Sequence, residues 1–250
     1  MHLRLDDQAA LVTGAATGIG RATAQALAAS GARVAVNHLG KTGEAQAVVA
    51  AIREAGGEAI AIEADVTRSG DVATLVRCCI ERLGGLDLLV NNAGIILEKP
   101  FLEMEEADWD RVIDADLKSV FLCARAALPH MLAQGRGCIV NIASELGFLG
   151  RAEYSAYTSA KAGVMSLTRS LAREFAPTIR INAVAPGPTA TPMLEPGPVS
   201  QEVIDRESDI PARRLGEPAE IAASVVFLAS AQASFFHGQV ISPNGGAWMG

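Results

Sequence analysis

Short runs of β-branched and other apolar residues alternate along this chain with longer segments rich in Ala, Leu, Arg and Glu, and this alternation most restricts the fold. The strand-like runs are Ala9–Thr13, Arg33–Asn37, Ala59–Glu63, Leu86–Asn91, Cys138–Ile142 and Ile179–Val184. The helix-like segments between them are Ile19–Ala29, Gly43–Ala55, Asp71–Leu83, Ala107–Ala133 and Tyr154–Phe175. Because the strand-like runs lack strict polar–apolar alternation, both sheet faces should be covered. The pattern predicts an α/β fold: one doubly wound parallel sheet of about seven strands with helices on both faces.

The 250-residue chain is interpreted as one domain, 1–250, because no linker, low-complexity segment or internal repeat interrupts this alternation. Half of its residues are hydrophobic, which is ample material for a large core. The stretch from Pro186 to Pro211 departs from the pattern, and its density of prolines excludes a continuous helix. Since it follows a predicted strand end, where open α/β sheets bind ligands, we expect a substrate lid at 188–212 rather than a passive insertion.

Composition and charge exclude several classes of function. The formal net charge of −7 argues against a nucleic-acid-binding surface, and no apolar stretch is long enough to span a bilayer. The N-terminal residues lack the apolar core of a signal peptide, so a cytoplasmic location is expected. The four histidines are scattered and the four cysteines show no metal-ligand spacing, which predicts reduced thiols and no metal site.

The first predicted strand runs into a glycine-rich segment, Thr13-Gly14-Ala15-Ala16-Thr17-Gly18-Ile19-Gly20, after which a helix is predicted. Glycines at such a place allow a tight turn and a close approach of the backbone to a pyrophosphate, which the N-terminus of the helix would face. Turns of this kind also serve packing alone. The strand before the glycines and the helix after them favour a dinucleotide site.

A second motif indicates acid/base chemistry. Tyr157 and Lys161 are four residues apart in a predicted helix and therefore share one face of it. A free tyrosine has a pKa of roughly 10, and a neighbouring lysine cation favours the phenolate and lowers that pKa. Ser144 must come from a separate element, where its hydroxyl could hold a substrate oxygen beside the phenol. Taken alone, the Tyr–Lys pair is better explained as an accidental surface pair.

Taken together and in this order, the motifs resemble those of the short-chain dehydrogenase/reductase family over essentially the full length of the chain. The matching pieces are the glycine-rich segment, Asp65-Val66, Asn91-Asn92-Ala93-Gly94, Ser144, Tyr157 with Lys161, Pro186-Gly187 followed by Thr189 and Thr191, and Asn244-Gly245-Gly246 near the end. The resemblance implies a Rossmann-type fold and hydride transfer between a nicotinamide cofactor and a carbonyl or secondary alcohol. The general pattern is nearest to 3-oxoacyl-carrier-protein reductases and to sugar or polyol dehydrogenases.

The resemblance also implies which residues bind the dinucleotide. They are Gly14, Thr17, Gly18, Ile19 and Gly20 in the glycine turn; Asn37 and His38 after the second strand; Asp65 and Val66 at the adenine; Asn92, Ala93 and Gly94 beside its ribose; Tyr157 and Lys161 at the nicotinamide ribose; and Pro186, Gly187, Thr189 and Thr191 at the nicotinamide end. Asp65 is also explained by capping of the next helix, and Asn92–Gly94 by an ordinary turn after a strand.

For catalysis, the resemblance implies that Tyr157 exchanges the proton of the reacting oxygen, that Ser144 hydrogen-bonds this oxygen, and that Lys161 stabilises the phenolate. Many members of the family carry an asparagine in the long helix before the catalytic strand, where this chain has Asp116. A carboxylate only accepts hydrogen bonds, whereas an amide also donates. Asp116 is therefore a candidate fourth catalytic residue, which either holds water in a proton relay or pairs directly with Lys161 and weakens its effect on Tyr157.

The segment Val36-Asn37-His38-Leu39-Gly40-Lys41 follows the second strand, where an acid would bind the ribose 2′-hydroxyl and basic residues would bind a 2′-phosphate. No acid occurs in this segment. Asn37, His38 and Lys41 favour NADP as the cofactor, with NAD as the alternative and dual use left open. Lys41 is also explained as a solvated charge in the first turn of a helix.

The substrate should be a small carbonyl compound or alcohol. Its pocket is expected to be lined by Ile95, Ile96, Glu145, Leu146, Phe148, Leu149, Tyr154, Pro188, Met193 and Leu194. Three alternatives stay open: a 3-oxoacyl-carrier-protein reductase, a non-catalytic dinucleotide sensor, and an epimerase or dehydratase, which usually has an additional substrate domain. Only Arg136 and Arg180 lie where a carrier protein would dock, which disfavours the first alternative.

The two longest predicted helices carry small and apolar residues on more than one face, and such faces need partners. Related short-chain enzymes pair these helices in dimers and tetramers. The sequence therefore predicts a homotetramer with two-fold axes.

Overall fold

The computed structural model describes residues 3–194 and 200–250. Met1, His2 and residues 195–199 of the predicted lid lie outside this part of the chain. Its centre is a seven-stranded parallel sheet with the strand order β3-β2-β1-β4-β5-β6-β7. The strands are β1 (Ala9–Val12), β2 (Arg33–His38), β3 (Glu58–Glu63), β4 (Leu88–Asn91), β5 (Gly137–Ile142), β6 (Ile179–Val184) and β7 (Val240–Ile241). The predicted doubly wound α/β fold is confirmed.

Helices cover both faces of the sheet, and each face has a separate apolar core. The helices are α1 (Gly18–Ala29), α2 (Thr42–Glu54), α3 (Ser69–Leu83), α4 (Glu106–Ile113), α5 (Ser119–Ala133), α6 (Leu146–Leu149), α7 (Ser155–Phe175), α8 (Gln201–Glu207) and α9 (Pro218–Ala229). The strands inside the sheet are buried on both sides, with β1 and β4 fully so, which explains why their sequences lack strict alternation.

The segment predicted as one helix from Ala107 to Ala133 contains an interruption. A π-helical segment, Asp114–Lys118, joins α4 to α5. The wider turn changes the angle at which the following side chains leave the helix, and Asp116 within it is fully buried. A π-helical turn inside an α-helix is frequent at functional sites, and this one faces the loop that follows β4.

The order of the strands determines at which edge of the sheet a ligand can bind. From β1 the chain crosses to β2 and β3 on one side and then to β4, β5, β6 and β7 on the other, and a crevice forms between β1 and β4, where the order reverses. The loops at the carboxyl ends of β1, β4, β5 and β6 all open into this crevice. No helix in the described part of the chain is long and apolar enough to cross a membrane.

Candidate active site

One cavity of about 480 Å³ lies at the carboxyl edge of the sheet. Its lining includes every residue that the sequence predicted for the cofactor, together with Ser144. Among the predicted site residues, Asp116 does not line the cavity. The predicted pocket residues Ile95, Ile96, Glu145, Leu146, Tyr154, Pro188, Met193 and Leu194 also line the cavity. Phe148 and Leu149 do not: Phe148 stacks on Trp248, with ring centroids 4.0 Å apart, and Leu149 is half exposed.

The glycine turn has the shape that a pyrophosphate requires. Gly14 and Gly18 have φ angles of +61° and +55°, in the left-handed region that favours glycine. A Cβ atom on Gly14 would also lie 2.9 Å from the Cα of Ala93. Helix α1 begins at Gly18, and the side chain of its N-cap residue, Thr17, makes no capping hydrogen bond. The first amide groups of α1 therefore point into the cavity as donors for an anion.

Three polar side chains hold this turn against its neighbours. The hydroxyl oxygen of Thr13 accepts hydrogen bonds from the backbone amides of Asn92 and Ala93 at 2.9 and 3.0 Å. The Asn92 amide donates in return to the carbonyl oxygens of Thr13 and Gly14. Asn37 accepts from the Gly14 amide at 3.2 Å. These hydrogen bonds connect the backbone segments on the two sides of the crevice.

The end of β2 differs from its sequence interpretation in two respects. Besides accepting from Gly14, the Asn37 side chain donates to the carbonyl oxygen of Ala64 at 3.1 Å, so its hydrogen-bonding groups are used within the protein. An acid also borders this segment: Glu63 on β3 pairs in register with His38 and accepts from the Gly40 amide at 3.1 Å. His38 is 4% exposed, and its Nδ1 atom has no hydrogen-bond partner in the described structure.

Asp65 forms a turn ahead of α3. Its Oδ1 atom accepts hydrogen bonds from the Thr67 amide and hydroxyl at 2.9 and 2.7 Å. It does not cap the helix, which begins at Ser69 after its N-cap residue, Arg68. The turn leaves Asp65 and Val66 in the wall of the cavity, as the predicted cofactor contact requires.

The opposite end of the crevice is built by the chain after β6. A Cβ atom on Gly187 would lie 2.6 Å from the Cα of Asn244, so only glycine allows this close approach of the C-terminal segment. Thr189 donates its hydroxyl proton to the Gly187 carbonyl oxygen at 2.8 Å. A Cβ atom on Gly18 would lie 3.4 Å from the side chain of Thr191, which is van der Waals contact. The first part of the predicted lid therefore reaches back over the glycine turn.

The predicted catalytic side chains converge at the centre of the cavity. Tyr157 and Lys161 lie one turn apart near the start of α7, and Ser144 follows the end of β5. All three are buried, at 7%, 4% and 6% exposure. The Lys161 Nζ atom lies 5.5 Å from the centre of the Tyr157 ring and donates to the Ile142 carbonyl oxygen at 3.2 Å. A phenol, a hydroxyl and a cation, each largely buried, thus lie together in this cavity.

The expected lowering of the tyrosine pKa is only part of what the structure shows. Burial raises the pKa of Tyr157 above its ordinary value, and the Asp116 and Glu145 carboxylates act in the same direction. Lys161 and the neighbouring Ser144 hydroxyl oppose this increase. Burial outweighs them, so the pKa of Tyr157 lies above its ordinary value of roughly 10 and the phenol is protonated at neutral pH. The sequence argument considered the lysine alone and omitted desolvation.

Asp116 pairs directly with Lys161. Its Oδ2 atom lies 3.0 Å from Nζ, and its Oδ1 atom accepts from the Ile95 amide at 2.8 Å. A Cβ atom on Gly94 would come within 2.7 Å of this carboxylate, so the glycine makes room for it. Burial disfavours the cation of Lys161, but Asp116 and Tyr157 outweigh that effect, and the pKa of Lys161 is raised. Of the two arrangements proposed for Asp116, the structure has the direct ion pair.

The substrate side of the cavity contains charged groups that sequence reasoning did not identify. Arg151 makes two hydrogen bonds to Glu207 on α8, at 2.9 and 2.8 Å, and its guanidinium carbon lies 4.8 Å from the centre of the Tyr154 ring. The Tyr154 hydroxyl donates to Glu98 at 2.5 Å. Arg151 and Glu207 are 56 residues apart in the chain. No local pattern in the sequence indicates such a pair.

Comparison with known proteins gives matches over nearly the whole chain. A family model described as enoyl-(acyl carrier protein) reductase matches residues 14–247. The 3-oxoacyl-[acyl-carrier-protein] reductase FabG of Staphylococcus aureus (strain Mu50 / ATCC 700699) is 43% identical over 244 residues, covering 97% of this chain and 98% of that protein. The cis-4-hydroxycyclohexanecarboxylate dehydrogenase of Sinomonas cyclohexanicum is 45% identical over 244 residues, covering 96% of each chain. A solved 7α-hydroxysteroid dehydrogenase, complexed with NADH and 7-oxo glycochenodeoxycholic acid, superposes with a TM-score of 0.92 at 35% identity, covering 98% of this chain and 96% of that one.

Proposed function

Because the chain belongs to the short-chain dehydrogenase/reductase family, we propose that it transfers a hydride between a nicotinamide cofactor and a carbonyl or secondary alcohol, with Tyr157 as the acid/base. The observation that carries this proposal is the placement of Tyr157, Ser144 and Lys161 in the same cavity as the glycine turn. The left-handed glycines and the uncapped start of α1 fit a dinucleotide pyrophosphate. Such a cofactor, when bound, supplies the hydride.

The side chains of the protein donate the proton in reduction and remove it in oxidation. In reduction, the Tyr157 hydroxyl donates its proton to the oxygen of the substrate carbonyl, and Ser144 holds the same oxygen by a second hydrogen bond. Lys161, kept protonated by Asp116, stabilises the phenolate that remains. In oxidation the phenolate removes the proton again. The low exposure of these groups excludes water and strengthens each electrostatic interaction.

The experiment that tests this function is a panel of ketones and secondary alcohols with both cofactors, followed at the absorbance of the reduced nicotinamide. We expect net oxidation or reduction of the cofactor with at least one substrate class. Dinucleotide binding without turnover of any substrate would contradict the proposal and favour a non-catalytic sensor. The panel includes a 3-oxoacyl thioester, because a 3-oxoacyl-carrier-protein reductase would act on this class of substrate.

A 3-oxoacyl-carrier-protein reductase is the second candidate, favoured by the similarity to the Staphylococcus aureus enzyme. The two arginines near the expected docking region weaken it. Arg136 is paired with Asp87 at 3.0 Å. The guanidinium of Arg180 donates to backbone carbonyl oxygens at the end of α9, including that of Leu228 at 2.6 Å. Both arginines are thus already engaged within the protein, although Arg136 is largely exposed.

We propose NADP as the preferred cofactor and place its 2′-phosphate beside His38 and Lys41. Both residues line the cavity, and the Nδ1 atom of His38 has no hydrogen-bond partner among the described residues. Since Asn37 is used within the protein, these two side chains carry the proposal. The NADH bound to the similar 7α-hydroxysteroid dehydrogenase, and Glu63 beside the segment, support NAD as the alternative.

Replacing His38 by aspartate should shift preference from NADP toward NAD by at least roughly tenfold, a change of about 1.4 kcal/mol in relative transition-state binding. A carboxylate at this position repels the 2′-phosphate and accepts hydrogen bonds from the ribose hydroxyls. The measurement is kcat/KM with each cofactor. The matched control is His38→Asn, which removes the ring without adding charge and should not create a preference for NAD. An unchanged cofactor ratio in His38→Asp would show that the 2′ site lies elsewhere.

We further propose a cytoplasmic homotetramer. Helix α5 exposes two large apolar side chains, Phe121 at 46% and Leu132 at 43% exposure, which a partner subunit would cover. Light scattering on protein from the cytosolic fraction should give about four times the chain mass of 26.0 kDa. A monomer at micromolar concentration would contradict the assembly, and recovery in the membrane fraction would contradict the location.

A further inference from the structure

Glu145 directly follows Ser144, and the structure buries it in the wall of the cavity at 5% exposure. Its backbone amide donates to the Pro186 carbonyl oxygen at 3.0 Å, which ties it to the chain leaving β6. Its Oε2 atom accepts a hydrogen bond from the Ser144 hydroxyl at 3.1 Å. The carboxylate is therefore held rigidly beside the residue that should hold the reacting oxygen.

This hydrogen bond conflicts with the role of Ser144. A serine hydroxyl has one proton to donate. In this structure that proton is donated to Glu145, and the Ser144 oxygen already accepts from the Leu146 amide at 3.2 Å. To donate to a substrate oxygen, Ser144 must leave Glu145. A buried carboxylate that loses its hydrogen-bond donor carries a desolvation cost unless another donor replaces it.

We propose that Glu145 is a specificity-determining residue that selects substrates with a hydroxyl on the carbon next to the reacting carbon, namely α-hydroxy ketones and vicinal diols. The inference rests on the proposed function, because Ser144 must hold the reacting oxygen. The neighbouring hydroxyl donates to Glu145 in place of Ser144, and the Ser144 proton turns to the reacting oxygen. Oxygens on adjacent carbons can lie at hydrogen-bond separation, ~2.8 Å, which matches the spacing of the two protein groups.

The rest of the substrate wall supports this assignment because its charges are already paired. Glu207 accepts two hydrogen bonds from Arg151 and one from Arg206. Glu98 accepts from Tyr154. Among the described residues, Ser144 is the side chain that hydrogen-bonds Glu145. Glu145 makes no ion pair among the described residues, so a substrate can engage its carboxylate without breaking one.

The same geometry disfavours a substrate whose second polar group is only an acceptor. When Glu145 is ionised, the thioester carbonyl of a 3-oxoacyl compound would face its carboxylate without a proton between them. A substrate with no second polar group would leave Glu145 without a donor once Ser144 turned away. In both cases Glu145 lacks the hydrogen-bond donor that a neighbouring hydroxyl supplies. A buried group left without a partner gives strong discrimination between substrates.

Protonation of Glu145 gives a second readout. Burial raises the pKa of Glu145 to about 7, Glu207 adds to the increase, and the residue's own amide, Ser144 and Arg151 oppose it. Above this pH the carboxylate accepts a charge-assisted hydrogen bond, which is stronger than one to a neutral carboxyl. The preference for the hydroxylated substrate should therefore increase from pH 6 to pH 8.

The test uses substrate pairs that differ by one hydroxyl. The kcat/KM values for cis- and trans-cyclohexane-1,2-diol are compared with that for cyclohexanol, and those for 2-hydroxycyclohexanone with cyclohexanone. We expect a preference of tenfold or more for the better diol isomer and for the hydroxy ketone in the unmodified protein. In Glu145→Leu the ratio should fall to within about threefold of one. In Glu145→Gln, which keeps the shape and an acceptor oxygen, part of the preference should remain but its dependence on pH should disappear.

The outcomes separate this inference from the proposed function. Turnover of the ketones with no preference for the hydroxylated partner, or with the same preference in both Glu145 variants, would overturn the inference and leave the proposed function standing. A preference in Glu145→Gln that still increases between pH 6 and pH 8 would also overturn it. No cofactor turnover with any substrate would overturn both. If Glu145→Leu does not fold, the Glu145→Gln pH profile decides.

Discussion

Replacing Tyr157 by phenylalanine should lower kcat by about 10²–10⁴-fold, the range that general acid/base catalysis contributes, with dinucleotide affinity within a few-fold of the original. The substitution removes a single hydroxyl group. Tyr157 is buried beside Lys161 and Ser144, and the pKa effects of both act on its phenol. Steady-state rates and a fluorescence titration with the reduced cofactor measure the two quantities.

The chain offers a matched control, because its only other tyrosine, Tyr154, lines the same cavity three residues earlier. The Tyr154 hydroxyl already donates its proton to Glu98, so it is not free to protonate a substrate, and burial together with this bond raises its pKa to about 12. Tyr154→Phe should change KM more than kcat and cost far less than the Tyr157 substitution. Equal losses in the two variants, or near-normal activity of Tyr157→Phe, would contradict the assignment of the acid/base.

Replacing Lys161 by methionine should destabilise the fold by about 3–5 kcal/mol, the usual cost of leaving one member of a buried ion pair without its partner. Asp116 is fully buried and Lys161 nearly so, with 3.0 Å between their charged atoms. Without the lysine, the carboxylate keeps only the Ile95 amide as the partner described here. Urea unfolding at pH 8 measures the loss. Turnover and cofactor affinity should both fall as well, because Lys161 is proposed to serve both.

The double variant Lys161→Met with Asp116→Leu separates stability from activity. Removing both charges removes the unpaired carboxylate, so much of the lost free energy of unfolding should return. Activity should stay absent, because the cation beside Tyr157 is still missing. A single Lys161→Met variant as stable as the unmodified protein would show that the ion pair does not hold this part of the structure. Recovery of activity in the double variant would contradict the role of Lys161.

Much of the fold follows from patterns that are local in sequence. The strand Ile179–Val184 has the predicted limits, and the other five predicted strands differ by one or two residues at an end. Burial of parallel strands on both faces forces continuous apolar runs, which are easy to recognise. The two-residue strand β7 and the helix Pro218–Ala229 were not located: the first is too short for a pattern, and the second has apolar residues around most of its circumference.

The glycine turn was predictable for a similar reason. A backbone with positive φ at Gly14 and Gly18 requires glycine, so the conformation is visible in the residue type itself. The roles of Asn37 and Asp65 were less accessible. The role of Asn37 depends on whether its side-chain amide is already hydrogen-bonded to Gly14 and Ala64. The role of Asp65 depends on the turn that it forms with Thr67. Hydrogen-bond partners of this kind depend on which loops meet.

The sequence by itself determined the class of fold, the glycine turn and the residue types that can exchange a proton, because these depend on periodicity, backbone freedom and side-chain chemistry. Only the tertiary structure decided the electrostatics. Whether the pKa of Tyr157 rises or falls depends on the balance between burial and Lys161, and whether Lys161 is free depends on a π-helical turn that points Asp116 inward. The same holds for Arg151 and Glu207, which meet across 56 residues of chain. Desolvation and charge pairing act through space, so no local sequence pattern contains them.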